Sequence, residues 1–368
     1  MVANEMILKG NEASHEKALK SKLISKRKLI QLPQWGVAWL VLLPALVFLT
    51  LFMLYPILNT FLSAFIQNYE YTKNSGSFAI GQFLAGTESI LAKGKAPKMF
   101  FGLSNFRSLF MFPDFVKSIA NTAILTIVEV PLTIMVSLLI ATFLNSIKVL
   151  KGFYQTIFFL PYVTNTIALG LVFNIVFSNT PGGLMNLLIT KFGGQPINWL
   201  SMEGYLKEQG AATRFHQGFV IVLYALWNGI AFKILVFMSG LATIDSQYYN
   251  AAKIDGASNF TIWRRITLPL LSPQILYITI TSFIGAFKMY TGVNAVYTGV
   301  PMNNIQSAYY FGGQDGRDWA PVVGWIYREL NDNPNRPGVA SAASIVLLGI
   351  IMVITVVQFM VSKKRVHY

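Results

Sequence analysis

Residues 248–269 decide the fold, and they read YYNAAKIDGASNFTIWRRITLP. The first part of this stretch, residues 249–255, suits one short helix. Gly256 then supplies a joint, because glycine tolerates a positive φ at little cost. Ser258 can act as the N-cap of a second short helix that runs to Arg265. The stretch therefore predicts two short helices that meet at a tight turn.

The end of this stretch carries signals for a longer helix. Pro269 predicts the end of the second short helix, since proline inside a helix removes a hydrogen bond. Ser272 and Pro273 suit the N-cap and first position of the next helix. We expect a compact, rigid helical hairpin near residues 245–272, suited to mechanical contact with a partner.

The chain around the hairpin is strongly apolar. Of its 368 residues, 54% are hydrophobic and 12% are charged, and the charged share is about half of the roughly 25% typical of soluble domains. Six apolar stretches are long enough to cross a bilayer. They are roughly 36–66, 118–145, 153–178, 217–241, 274–298 and 339–361. The sequence predicts an all-α membrane protein with six transmembrane helices.

The basic residues predict the orientation of these helices. Lysine and arginine are densest before the first stretch, beside the hairpin and at the C terminus, which predicts that both termini and the hairpin are cytoplasmic. We expect a basic segment, 1–35, and a six-helix domain, 36–368, with an extracytoplasmic insertion near 67–116. Residues 16–30 suit either an interfacial amphipathic helix or a solvated basic tail.

Composition argues against several functional classes. There is no cysteine, which excludes disulfides and thiolate metal sites, and three histidines argue against a histidine-rich metal site. No phosphate-binding loop of the ATPase type and no cluster of catalytic side chains is present. The formal charge of +14 is explained by the cytoplasmic bias and by anionic lipid, without nucleic acid. We expect no catalytic residue, no metal and no cofactor bound by this chain.

The hairpin resembles a known motif, the coupling loop of inner-membrane permease subunits of ATP-binding-cassette (ABC) importers, and most closely that of the sugar-transporting, maltose-type branch. Asn250 stands where that family usually has glutamate. The matching positions are Ala251, Ala252, Asp255, Gly256, Ala257, Ile266, Leu268 and Pro269.

The resemblance extends along most of the chain from about residue 36, apart from an insertion near 72–98. Further matching segments lie at the entries to the second and last spans and in an outer loop. They are Phe101–Phe106, Asn121–Thr122, Gly183, Asn186, Trp199–Leu200 and Pro337–Ser344.

This resemblance implies a type I ABC importer permease in the bacterial plasma (inner) membrane. The hairpin would dock on a separate ABC ATPase dimer, which would hold ATP and Mg²⁺. A second homologous permease, in a heterodimer, an extracytoplasmic solute-binding protein and an oligosaccharide would complete the assembly. The residues implied in coupling are Asn250, Ala251, Ala252, Asp255, Gly256, Ala257, Arg264 and Arg265.

The resemblance also implies where the sugar binds, on the fourth and fifth spans. The implied residues are Gly229, Phe232, Ser282, Gly285, Ala286 and Met289, and Tyr290 is a further candidate because of its residue type. Phe232, Phe287 and Tyr290 can stack on a pyranose ring and Ser282 can bond a hydroxyl. The alternative for each aromatic side chain is packing between helices.

Three ionisable residues fall inside the predicted spans: Glu129, Lys233 and Lys288. Charges at such depth should face protein or a water-filled cavity. From their depth along the helices we predict an ion pair of Glu129 with Lys288, with Lys233 directed toward the cytoplasm or the cavity. The alternative is that both lysines only stabilise the bundle. Lys288 and Thr291 stand where the family often has glutamine and aspartate, which favours an acidic, uronate-containing oligosaccharide as an alternative substrate.

The alternative function is an ATPase-independent carrier or channel. The hairpin argues against it, and so does the absence from the sequence pattern of the short, Gly- or Pro-broken helix pairs that mark many carriers.

Overall fold

A computed structural model describes residues 34–67, 100–147, 151–180, 182–200, 210–298, 319–332 and 336–362. The predictions for the basic segment 1–33 and for most of the insertion, 68–99, lie outside the described residues. The chain divides into two compact units, Met1–Asn59 and Thr60–Tyr368.

The first unit contains the start of the first span. Helix α1, Gln34–Leu49, passes through a π-helical turn, Thr50–Leu54, into α2, Tyr55–Phe65. Together they form an apolar helix that is long enough to cross a membrane.

The second unit is built mainly from helices that follow the predicted spans and loops. Their bounds are α3 Ser104–Leu109, α4 Pro113–Ser146, α5 Lys151–Val163, α6 Thr166–Val176, α7 Leu184–Lys191, α8 Gly210–Ala242, α9 Ser246–Ile254, α10 Asn259–Ile262, α11 Leu268–Leu270, α12 Ser272–Phe287, α13 Thr291–Thr298, α14 Val322–Asp332 and α15 Pro337–Ser362. A second π-helical turn, Trp263–Thr267, joins α10 to α11.

A short β ladder departs from the purely helical prediction. Strand β1, Ile66–Gln67, pairs antiparallel with β2, Phe100–Phe101. The Gln67 side chain also donates to the carbonyl of Gly102 at 2.8 Å. The two ends of the predicted insertion are therefore held together.

The described residues contain four helices that are long and apolar enough to cross a membrane by themselves, at Ala38–Phe65, Pro113–Ser146, Arg214–Ala242 and Pro337–Ser362. Two further helix pairs reach that length only when each bent pair is taken as one span. These pairs are Gly152–Val163 with Thr166–Val176, bent by 93°, and Asn259–Leu270 with Ser272–Phe287, bent by 66°. The chain is a multi-pass membrane protein, and its count of six spans stays a prediction.

The third and fifth predicted spans are interrupted, contrary to the sequence prediction. The third breaks after Val163, where Asn165 caps α6 by accepting from the N–H of Ile167 at 2.8 Å. The fifth ends at Phe287 and resumes as α13 at Thr291. This removes one sequence argument against a carrier, because broken helices are present after all. Interrupted backbone at membrane depth is tolerated where it lines a cavity or is buried in protein.

Each π-helical turn ends two residues before a proline, Pro56 in the first span and Pro269 in the hairpin. In the hairpin the N–H of Leu268 bonds the carbonyl of Trp263, five residues back. Pro269 then sits in the first turn of α11, where a missing N–H costs little. The prediction that Pro269 ends the helix is therefore wrong, and the helix continues to Leu270. The predicted cap is also displaced, since Leu271 holds the N-cap position of α12 and Ser272 follows it.

Polar residues in the segments that resemble the permease family form hydrogen bonds that stabilise the fold. Asn105 donates to the carbonyls of Ala64 and Ile66, at 3.0 and 3.1 Å. Thr122 accepts from the N–H of Val322 at 2.9 Å, at the start of α14. Asn186 is fully buried and its amide bonds both the N–H and the carbonyl of Ile197, each at 3.0 Å. These positions therefore serve the fold.

The helices that matter for the site pack through one apolar cluster. Helices α4, α8 and α12 contribute its buried core, which is Leu138, Ala141, Leu144, Ile230, Ile234, Phe237, Met238, Leu241, Leu271 and Ile278. Trp263 and Leu268 of the hairpin pack against this cluster. The hairpin is therefore seated on the same three helices that continue into the membrane.

Candidate functional site

The first arm of the hairpin ends in a hydrogen-bonded C-cap. Asp245 caps the start of α9 by accepting from the N–H of Gln247 at 2.9 Å. At the other end Gly256 has φ +73°, and its N–H bonds the carbonyl of Lys253 at 3.1 Å. The N–H of Ala257 bonds the carbonyl of Ala252 at 2.9 Å. This pair of bonds forms a Schellman motif, which requires the left-handed conformation that glycine supplies.

The second arm is capped as predicted and anchored to the bundle. Ser258 accepts from the N–H of Thr261 at 3.2 Å. The indole of Trp263 donates to Thr142 of α4 at 3.3 Å, which ties the arm to the second span. The sequence prediction of a two-helix hairpin with a glycine joint is confirmed.

The tip of the hairpin exposes a mixed apolar and charged surface. Ile254 is 87% exposed and Phe260 is 67% exposed. The residues implied in coupling that are also exposed are Asn250, Ala251, Asp255, Gly256, Arg264 and Arg265. Ala252 is buried and Ala257 is half-buried. Ala252 therefore serves the packing of the hairpin and is not available to a partner.

The base of the hairpin is closed by a tight contact between α8 and α12. A Cβ added at Gly240 would lie 2.8 Å from Leu271 and 2.9 Å from Gln274. A side chain at position 240 would press on the side chains of Leu271 and Gln274. The ends of α8 and α12 are therefore in close contact at the base of the hairpin.

A cavity of about 560 Å³ lies between these same helices. Its volume falls in the range typical of small-ligand sites. Helices α8 and α12 form two of its walls, and the interruptions of the third and fifth spans form the others. Glu129 enters it from α4. The breaks in the helices thus occur where the backbone lines the cavity.

The structure brings together nearly all the residues predicted for sugar binding. Gly229, Phe232, Ser282, Gly285, Ala286, Met289 and Tyr290 all line this cavity. Phe287 does not. It is buried in an apolar cluster with Trp325 and Leu347, because it is on the opposite side of α12 from the cavity-lining Gly285.

Glu129, Lys233 and Lys288 also line the cavity, but the predicted ion pair is wrong. Among the described residues Glu129 forms no salt bridge with Lys288, and its electrostatic partner is Lys233. The depth estimate failed because helical side chains point toward the N terminus of their helix. Lys233 reaches back one turn, and its Nζ donates to the carbonyl of Gly229 at 3.4 Å.

The family follows from a match over more than half of the chain. Residues 133–367 match the family described as "binding-protein-dependent transport system inner membrane component". The chain belongs to this family.

Two curated relatives of this transport component are permeases. The chain is 31% identical to the arabinooligosaccharides transport system permease protein AraP of Bacillus subtilis, over 72% of this chain and 76% of the relative. It is 30% identical to the lactose transport system permease protein LacF of Rhizobium radiobacter, over 69% of this chain and 74% of the relative.

A solved structure shares the fold of this transport component. It is the crystal structure of a bacterial ABC transporter involved in the import of the acidic polysaccharide alginate. The match has a TM-score of 0.66 at 17% identity and covers 89% of this chain and 95% of that chain. The importer permease fold is thereby shown.

The sequence reasoning missed several cavity residues of this transport component. Tyr162 stacks on Phe232 with ring centroids 5.9 Å apart, so one aromatic wall is shared by the third and fourth spans. The other missed residues are Thr164, Thr166, Tyr224, Ala225, Asn228, Thr281 and Gly292. Asn228 carried a signal, since it is a polar residue within an apolar span beside a predicted site residue.

Proposed function

We propose that this chain is one permease half of an ATP-driven importer and forms half of the translocation pathway for an oligosaccharide. A solute-binding protein delivers the sugar from outside, and a separate ABC ATPase dimer binds the cytoplasmic hairpin. A second homologous permease completes the pathway. Both termini are cytoplasmic in this proposal.

The main support for the proposal is that the hairpin and the cavity share the same two helices. The hairpin connects α8 and α12, and the same two helices carry the residues that line the cavity. The tip of the hairpin also exposes apolar and cationic side chains, which suits contact with a partner protein. A partner that moves the hairpin therefore moves the walls of the cavity.

The cavity supports a sugar as the transported molecule. It combines an aromatic wall of Tyr162 and Phe232 with the hydroxyls and amides of Thr281, Ser282 and Asn228. Aromatic faces with a few polar groups suit the apolar and polar faces of a pyranose. Two relatives are named for arabinooligosaccharides and lactose, which are neutral sugars.

Co-purification tests the proposed assembly. The tagged chain, extracted from its native membrane in a mild detergent, should bring down a second permease and an ABC ATPase in fixed stoichiometry. Deletion of the hairpin, residues 245–271, should remove the ATPase. An ATPase-independent carrier would purify without either protein, and that result would contradict the proposal.

An acidic, uronate-containing oligosaccharide is a second candidate substrate. Among the described residues, the charged groups that line the cavity are one carboxylate, Glu129, and two lysines, Lys233 and Lys288. The first residues of α6 and α13, Thr166 and Thr291, also line it, and helix N-termini favour anions. Lys288 is exposed to the cavity and forms no salt bridge within the described part of the chain. It is the group best placed for a substrate carboxylate.

Replacing Lys288 with glutamine should separate the two candidates. If the substrate is acidic, Lys288→Gln should lower the uptake of trigalacturonate by roughly tenfold or more, because a charge-assisted hydrogen bond is lost. Uptake of a neutral trisaccharide should stay near the wild-type rate. Competition between the two sugars in membrane vesicles that contain the full importer measures this. Equal effects on both sugars would remove the acidic candidate.

A further inference from the structure

Glu129 carries a buried oxygen without a partner. Its side chain is 8% exposed, it lines the cavity, and its Oε2 accepts no hydrogen bond from the described residues. A buried carboxylate oxygen that lacks a donor loses the hydrogen bonds it made in water, and this is costly. The position therefore favours a ligand that brings a donor.

Lys233 presents a cation to the same space. It is 7% exposed, and its ammonium lies above Gly229, where an added Cβ would meet Nζ at 2.9 Å. The absence of a side chain at Gly229 therefore makes room for Lys233, and the Lys233 ammonium fills the space next to Gly229. Its known contact is the long one to the Gly229 carbonyl at 3.4 Å, so the ammonium keeps donors for a ligand.

The two charges attract each other without touching. Both residues line the same cavity, and their charges are close enough to interact. Among the described residues, however, no nitrogen–oxygen distance of 4.0 Å or less joins them. A group that both accepts from an ammonium and donates to a carboxylate can occupy such a gap, and a hydroxyl is the smallest such group on a carbohydrate.

We propose that Glu129 and Lys233 form a divided charge pair that binds one sugar hydroxyl between them. Lys233 donates to the hydroxyl oxygen and the hydroxyl donates to Oε2 of Glu129. The pair binds a hydroxyl of the sugar. Lys288 is a separate residue of the cavity, which would bind a carboxylate of an acidic sugar. This inference rests on the proposed function, since it names how that same cavity holds its glycan.

The pair predicts coupled losses of glycan binding. The full importer that contains the chain is reconstituted in lipid nanodiscs, and binding of maltotriose and of trigalacturonate is titrated by saturation-transfer difference NMR, which detects weak ligands. Glu129→Gln and Lys233→Gln should each weaken the binding of both sugars by roughly tenfold or more. The double variant should bind no more weakly than either single variant, because one bridged hydroxyl needs both partners. Lys191→Gln, at the exposed end of α7, should match the wild type.

A variant in which the two charged residues are exchanged provides a second test, in case a single variant fails to fold. In Glu129→Lys combined with Lys233→Glu the hydroxyl can still donate at one side and accept at the other, so sugar binding should recover toward wild type. Wild-type affinity in folded Glu129→Gln would overturn the inference, and would mean that water alone occupies the gap. Independent, additive losses would overturn it as well. If the wild type binds neither sugar, the proposed function itself fails, which is a different result from unchanged variants.

Discussion

Replacing Gly256 with proline should abolish transport while the protein still inserts into the membrane. Gly256 has φ +73°, whereas proline is fixed near −65°. Proline also lacks the N–H that bonds the Lys253 carbonyl at 3.1 Å. The Schellman motif cannot form, and the two arms of the hairpin no longer meet at the same angle. We expect roughly a hundredfold loss of uptake and of substrate-stimulated ATP hydrolysis, equivalent to about 3 kcal/mol.

Gly193 offers a matched control for this substitution. It also has a positive φ, +80°, and its N–H also bonds a carbonyl three residues back, that of Thr190 at 3.0 Å. It follows α7, far along the chain from the hairpin. Gly193→Pro should leave the ATPase bound on purification, whereas Gly256→Pro should release it. Full ATPase stimulation in Gly256→Pro would show that the hairpin does not transmit movement.

Replacing Gly170 with valine should strongly destabilise the folded protein. Gly170 lies on α6 where it packs against α13, and a Cβ there would meet Ala295 at 2.6 Å and the backbone oxygen of Gly292 at 2.9 Å. Backbone cannot move aside as a side-chain end can, so the two broken spans must separate. We expect a loss of about 1–3 kcal/mol or more. That should lower the thermal midpoint in detergent by roughly 5 °C or more.

Gly152 is the matching control for this steric argument. It lies on helix α5, the other half of the same broken span, and nothing lies within 4 Å of an added Cβ. Gly152→Val should leave the thermal midpoint unchanged or slightly raised, since valine is a better helix former than glycine. If both valine variants unfold at the same temperature, close packing of α6 on α13 does not stabilise the protein.

The hairpin was predictable because its signals are local. A positive φ favours glycine and an N-cap favours a short polar side chain. The roles of Gly256 and Ser258 can therefore be predicted from the local sequence, without knowledge of the tertiary structure. The end of the second arm was not predictable in the same way. A proline in this position usually stops a helix, whereas here a π-helical turn precedes Pro269, and Trp263 and Leu268 pack against the apolar cluster of α4 and α8.

The spans were predictable as apolar stretches, but their interruptions were not. Hydropathy averaged over about 20 residues cannot register a bend of 93° within an apolar run. The cavity residues carried over by resemblance from the fourth and fifth spans were brought together by the structure. Those contributed by the broken third span, such as Tyr162 and Thr164, were missed for the same reason.

The charge pairing was wrong because a linear depth scale omits two quantities. It gives neither the direction in which a side chain leaves its helix nor the length by which a lysine can reach. Lys233 lies deeper than Glu129 by backbone position, yet its ammonium returns toward Gly229. The partner of a buried charge therefore depends on helix rotation as well as on depth.

The close approach at Gly240 has a thermodynamic consequence. The contact joins the ends of the two helices that carry the hairpin and line the cavity, so in the proposed importer a ligand in the cavity and a protein bound to the hairpin act on the same pair of helices. Thermodynamic linkage would then make the two effects reciprocal: the factor by which the bound protein changes the affinity for the ligand equals the factor by which the ligand changes the affinity for the protein. Binding of a ligand in the cavity would thus change the affinity of the hairpin for its partner through these two helices alone.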